Sequence, residues 1–102
     1  MVTEVSDIKK YDQFLQNNKI VFIDFYAEWC GPCKRIAPYI EDLTDIFDHI
    51  NFIKIDVDKM EELSNSFKIK AMPTFVIMKN GKEESRIEGA DKVKIKKLLS
   101  DY

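Results

Sequence analysis

Cys30 and Cys33 are the only two thiols in this 102-residue chain, and they stand in the run Trp29-Cys30-Gly31-Pro32-Cys33-Lys34. Four chemistries use a Cys-x-x-Cys. A structural zinc site needs four ligands, and beyond the two cysteines the chain offers one histidine, His49. A c-type haem attachment needs His directly after the second cysteine, and that position is Lys34. A purely structural disulfide would close a very short loop and stabilise the fold by about 2 kcal/mol, but a reducing compartment would open it. A redox-active dithiol fits best. Pro32 suits the first position of a helix, so the cysteines fall where free backbone N–H groups and the helix dipole favour an anion. The thiolate is the nucleophile of disulfide exchange. Gly31 leaves room for another polypeptide to approach Cys30, and two intervening residues let Cys33 return onto Cys30.

The rest of the composition narrows the setting. With 45% apolar and 33% charged residues, the chain is too apolar for disorder and too charged for a membrane protein. The length suits one domain, residues 1–102, which buries about 65% of its unfolded surface and needs no disulfide staple. Sixteen basic against 18 acidic residues, net −2, leave no footprint for nucleic acid. Apolar runs such as Ile20–Ile23 are far too short to span a bilayer. Met1–Asp7 has neither a basic nor a long apolar leader region, so the expectation is a cytoplasmic protein.

The elements that must position the dithiol are legible as periodic segments. Val2–Val5 is a short strand. Ser6 is the expected cap of a helix carrying Ile8, Tyr11, Phe14 and Leu15, stopped by Asn17-Asn18. Ile20–Phe25 is apolar without alternation, which marks a central strand covered on both faces and paired in parallel. After the cysteines, Ile36, Tyr39, Ile40, Leu43, Ile46 and Phe47 form a helical stripe that contains Pro38 and runs to near His49. Phe52–Val57 is a strand, and Met60, Leu63 and Phe67 mark a short helix. Thr74–Met78 is a third apolar strand, Asn80-Gly81 a hairpin turn, and Lys82–Ile87 a charged edge strand. Gly89 breaks that strand. Asp91 caps a last helix with Val93, Leu98 and Leu99 inward. The order predicts an α/β domain: a mixed sheet of five strands with four helices on its two faces.

The stretch Val21–Lys34 resembles the signature of the thioredoxin family. Pro38, Lys54-Ile55-Asp56, Met72-Pro73-Thr74-Phe75, Asn80-Gly81 and Gly89 follow in the family's order, so the similarity covers residues 2–102. Thioredoxins are themselves a standard case of a Cys-x-x-Cys with a stabilised thiolate. The resemblance implies the thioredoxin fold and a protein-disulfide reductase that cycles a Cys30–Cys33 disulfide. Cys30 is then the nucleophile and the more exposed sulfur, and Cys33 is the resolving thiol. By the same resemblance Asp24 is buried behind the site and moves a proton at Cys33. Lys54 lies near Asp24. Pro73 follows a cis bond, Met72 pairs with substrate backbone, and Trp29 and Gly89 shape the docking surface. Gly31 and Pro32 tune the potential toward reduction.

On the residues alone some of these stay open. Asp24 could be a solvated strand-end carboxylate, Lys54 a plain surface lysine, and Trp29 a core aromatic. Tyr26 stands where many family members carry Trp. The resemblance implies no bound cofactor: electrons from NADPH arrive through thioredoxin reductase and leave to clients such as peroxiredoxins and ribonucleotide reductase. It also implies a monomer. Competing functions are a disulfide oxidase or isomerase, disfavoured by Gly31-Pro32, and a non-catalytic subunit, disfavoured by the intact dithiol.

Overall fold

The structure is a computed structural model that describes residues 1–102. Its elements are β1 (Thr3–Glu4), α1 (Ile8–Asn17), β2 (Ile20–Tyr26), α2 (Gly31–Ile46), β3 (Asn51–Asp56), α3 (Glu61–Ser66), β4 (Thr74–Lys79), β5 (Lys82–Glu88) and α4 (Lys92–Ser100). This is the thioredoxin fold: the five strands form one mixed sheet in the order β1-β3-β2-β4-β5. The central strand β2 runs parallel to β3 and antiparallel to β4. The expectation of parallel pairing therefore holds on one side only. On the other side β4 runs antiparallel because the connection from β3 through α3 returns the chain to the same end of the sheet, a property of that connection that the sequence of β2 does not carry.

Period-two alternation splits the sheet into two cores. Phe22, Phe52, Phe75 and Ile77 face α2 and α4, where Ile36, Ile40, Leu43, Ile95 and Leu99 meet them. Val21, Ile23, Phe25, Ile53, Ile55 and Val76 face the other way, against Tyr11 of α1 and the partly buried Leu63 of α3. Because β2 is covered on both faces it has no polar side, and its single acid, Asp24, lies at the end of the Phe22 face. That places it under α2. Phe22 anchors this face, with ring centroids 5.0 Å from Phe52 and 5.4 Å from Phe75.

The β4–β5 hairpin turns at Asn80 and Gly81 with φ of 52° and 78°, the left-handed pair that a two-residue hairpin needs. β5 is the edge and carries Lys82, Glu83, Glu84, Arg86 and Glu88, which discourage pairing with another sheet.

Four local expectations are corrected. Asp7, not Ser6, caps α1, its carboxylate accepting from Lys10 N–H at 2.8 Å; a carboxylate at this position bonds an orphan N–H more strongly than a hydroxyl can. Ile8 and Val93 are exposed, at 55% and 78%. In α4 the buried positions are Ile95 and Leu99, one turn apart, and Val93 falls off that stripe. α2 ends at Ile46, so His49 lies beyond the helix rather than at its terminus.

Candidate functional site

The dithiol sits where β2 hands over to α2. After β2, Cys30 N–H donates to the Ala27 carbonyl at 3.1 Å, which turns the chain. Cys30 then takes the N-cap position with extended backbone (φ −85°, ψ 109°), and Gly31-Pro32 begin the helix. The Cys33 N–H donates to Cys30 Sγ at 3.2 Å. An orphan amide at the helix start thus bonds the sulfur, where the dipole also favours negative charge. Cys30 and Cys33 are joined as a disulfide with Cα atoms 5.3 Å apart. Together with Ala27 they form a small buried cluster flanked by Tyr26, Val57 and Met72.

Exposure does not separate the two cysteines. They are 4% and 5% exposed, so the expected difference is absent in the disulfide state. What distinguishes them is the backbone: Cys30 lies outside the helix and accepts a bond, whereas Cys33 lies inside it. The space left by Gly31 is also not open. A Cβ there would lie 3.1 Å from Arg35 Nη1, so the guanidinium covers the glycine.

Asp24 is buried, 7% exposed, and its Oδ1 has no hydrogen-bond partner. The solvated strand-end alternative is thereby excluded. Burial pushes its carboxyl up to about 7, and the positive charge of Lys54 opposes that rise. Lys54 is its direct partner in the β2–β3 register. Asp24, Lys54 and Cys33 line one pocket of about 200 Å³, with Glu4, Tyr26, Glu28 and Lys34 at its walls. Water occupies about 30 Å³ per molecule in the liquid, so a pocket of this size has room for water beside both Asp24 and Cys33.

The mouth of that pocket is held by residues that sequence reasoning did not single out for it. Tyr26 OH donates to Glu4 Oε1 at 3.0 Å, and Lys59 Nζ lies 3.5 Å from Glu4 Oε2. The Tyr26 hydrogen bond holds the Glu4 carboxyl below its usual range. Lys54 Nζ lies 5.5 Å from the Tyr26 ring centroid, a cation–π contact. No sequence signal placed Glu4 beside Tyr26; the parallel ladder β1-β3-β2 does so, by bringing the C-terminal ends of these strands to one rim of the sheet.

Trp29 is not a core aromatic. It is 69% exposed, and its indole Nε1–H donates to Asp58 Oδ2 at 2.9 Å. The Met72–Pro73 peptide bond is cis. Met72 packs on the dithiol cluster, and its N–H and C=O have no backbone partner in the chain. Gly89 N–H donates to the Pro73 carbonyl at 2.8 Å, tying the two loops together. Gly89 adopts φ +95°, and a Cβ there would meet nothing within 4 Å, so its face is open to solvent. No three or more His, Cys, Asp or Glu side chains are grouped so as to hold a metal ion.

Comparison with known proteins extends these findings. The sequence model of the thioredoxin family matches residues 2–101. Thioredoxin 1 of Plasmodium falciparum is 40% identical over 102 residues, covering 100% of this chain and 98% of that protein. A solved structure of Plasmodium falciparum thioredoxin superposes with a TM-score of 0.96 at 40% identity, over 99% of both chains. A chain from a structure concerned with thiol resolution in yeast mitochondrial 1-Cys peroxiredoxin through the glutathione and thioredoxin systems superposes with a TM-score of 0.92 at 32% identity, over 99% of this chain and 95% of that one.

Proposed function

This chain belongs to the thioredoxin family, and on that premise we propose how its residues share the reduction of a client disulfide. The activity is thioredoxin-type disulfide reduction, an oxidoreductase function of the Cys30–Cys33 pair. The division of labour rests above all on one observation, the Cys33 N–H bonded to Cys30 Sγ at the start of α2.

In the reduced protein Cys30 is the thiolate, stabilised by that N–H and by the dipole. It attacks a client disulfide. One client sulfur leaves as thiolate, and a mixed disulfide forms on Cys30. Asp24, as carboxylate, takes the Cys33 proton through the shared pocket. Cys33 then attacks Cys30 Sγ, the second client sulfur leaves, and the Cys30–Cys33 disulfide forms. Two electrons have passed to the client. A carboxyl raised to about 7 is populated in both forms near neutral pH, which suits it to accept and release that proton. Lys54 keeps the carboxylate form accessible. Gly31 and Pro32 set the poise toward reduction.

Client backbone docks on Met72, whose N–H and C=O are free to extend pairing by strand addition. Trp29, Pro73 and Gly89 supply the surrounding surface. NADPH recharges the dithiol through a thioredoxin reductase, and clients include peroxiredoxins and ribonucleotide reductase. The family membership supports both partner classes. The chain acts as one domain, residues 1–102, as a monomer in the cytoplasm, where a reducing pool keeps the cycle supplied and cell redox balance is maintained.

A coupled assay tests the proposal: NADPH, thioredoxin reductase, this protein and a disulfide-linked test protein. NADPH consumption that requires all four supports it. No consumption above the assay lacking this protein contradicts it.

A further inference from the structure

A chain with more acids than bases nonetheless places Arg35, Lys92, Lys96 and Lys97 along one seam that begins beside the dithiol. Pro32, between the two cysteines, lines a depression of about 320 Å³ whose other walls include Arg35, Ala90 and Lys92. Lys92 also lines the next depression, which continues past Tyr39 and Val93 to Lys96 and Lys97. The two share Lys92 and lie in succession from Pro32 along the α2–α4 seam, and together are termed the trough. No acidic side chain lines either part.

The trough's cations have no carboxylate partners. The ion pairs of the protein are Met1–Glu41, Lys59–Glu4 and Arg86–Glu83, and none involves Arg35, Lys92, Lys96 or Lys97. The nearest carboxylate in sequence, Asp91, is committed to capping α4 by accepting from Lys94 N–H at 3.1 Å. Lys92 Nζ lies 5.2 Å from the Tyr39 ring centroid, so its ammonium is held at the trough rather than free to sweep solvent. Arg35 reaches back over Gly31, which sets the trough's charge against the dithiol itself. Val93, 78% exposed, adds an apolar contact on the same wall. Across the dithiol the sign reverses, with Asp58 beside Trp29 and Glu61 and Glu62 following it.

We propose that this trough seats an acidic segment next to the disulfide of a client protein, and so selects clients by charge. The inference rests on the disulfide-reductase reading. Four exposed cations with an aromatic and an apolar contact suit a carboxylate-bearing peptide, and the trough's opening at Pro32 delivers the adjoining client disulfide to Cys30. Such complementarity acts mainly on the rate of encounter and falls with salt.

The test uses the pre-reduced full chain in single turnover on two peptides with the same disulfide, one flanked on one side by glutamates and the other by serines. The glutamate peptide is expected to react about tenfold faster at low ionic strength, and the difference is expected to vanish at ~0.5 M salt. Lys96→Glu with Lys97→Glu abolishes the preference while leaving reduction of uncharged 2-hydroxyethyl disulfide unchanged. Equal rates for the two peptides with the native chain, or a preference that survives salt or the double substitution, overturn the proposal. If the native chain reduces neither peptide nor 2-hydroxyethyl disulfide, it is the reductase reading beneath it that fails.

Discussion

The N-termini of α2 and α4 are built on the same bond and differ in one atom type. At α4, Asp91 precedes the helix in extended conformation and its carboxylate accepts from the N–H three residues on, Lys94. At α2, Cys30 stands in the same place and its sulfur accepts from the N–H three residues on, Cys33. The carboxylate at α4 serves as a cap. The sulfur at α2 accepts the same bond in the same place, and in the division of labour proposed above the local field that anchors one helix stabilises the attacking thiolate at the other. The two buried aspartates repeat the lesson. Asp56, 3% exposed, accepts from Asp58 N–H at 2.9 Å, whereas Asp24 at 7% leaves Oδ1 unbonded. Both side chains are buried, but only Asp56 has a hydrogen-bond donor recorded for its carboxylate, and the proton-exchange role proposed above falls to the one left unsatisfied.

The contrast is broken most severely at the caps. Cys30→Ser is expected to lower client turnover by more than about a thousandfold. Stability relative to the reduced native protein stays within about 1 kcal/mol, since serine caps well. Asp91→Ala does the reverse: turnover of a small uncharged disulfide is unchanged, and about 1 kcal/mol of stability is lost, about 4–8 °C in Tm. Thermal unfolding and single-turnover rates on both variants check this. Comparable losses of turnover in the two would erase the distinction.

The aspartates give the next largest effect. The Asp24 carboxyl is raised from 3.8 to about 7 by burial, so the folded protein holds this proton more tightly than the unfolded chain. Stability therefore falls as pH rises from about 4 to 7, by on the order of 4 kcal/mol at about 1.4 kcal/mol per pH unit. Asp24→Asn flattens that fall in denaturant titrations at several pH values, raises Tm at neutral pH and slows the resolving step. Asp56→Ala instead costs about 1–3 kcal/mol across the range. A pH profile unchanged in Asp24→Asn would place that carboxyl in ordinary solvent. Smallest is Lys54→Gln. Removing the opposing charge raises the Asp24 carboxyl further, so the midpoint of both the stability step and the turnover profile moves to higher pH. A midpoint that stays in place would mean Lys54 acts only on the Tyr26 ring.

Periodicity was enough to place β2, α2, the Asn80-Gly81 hairpin and the edge strand β5, because burial on one or two faces writes itself into residue spacing. The same signal fails at ends. Ser6 and Asp7 are both good caps, and only the position of the first buried residue, Tyr11, decides between them. Val93 and Ile95 are both β-branched and apolar, and their difference is an angular one around α4. The site was legible where chemistry and chain are adjacent, as at Cys30-Gly31-Pro32-Cys33. It was illegible where distant segments converge. Nothing near Trp29 in sequence names Asp58, nothing near Tyr26 names Glu4, and Arg35 covering Gly31 depends on a flexible side chain. The burial of Asp24 depends on α2 crossing over the end of β2.

The central claim is that Cys30, at the cap, attacks the client and Cys33, within the helix, resolves. It is tested most directly by trapping. Cys33→Ser protein is mixed with an oxidised client under non-reducing conditions, and the products are mapped by mass spectrometry. The prediction is a stable adduct joining the client to Cys30, with no adduct from Cys30→Ser. An adduct on Cys33 in Cys30→Ser, with none in Cys33→Ser, would contradict it.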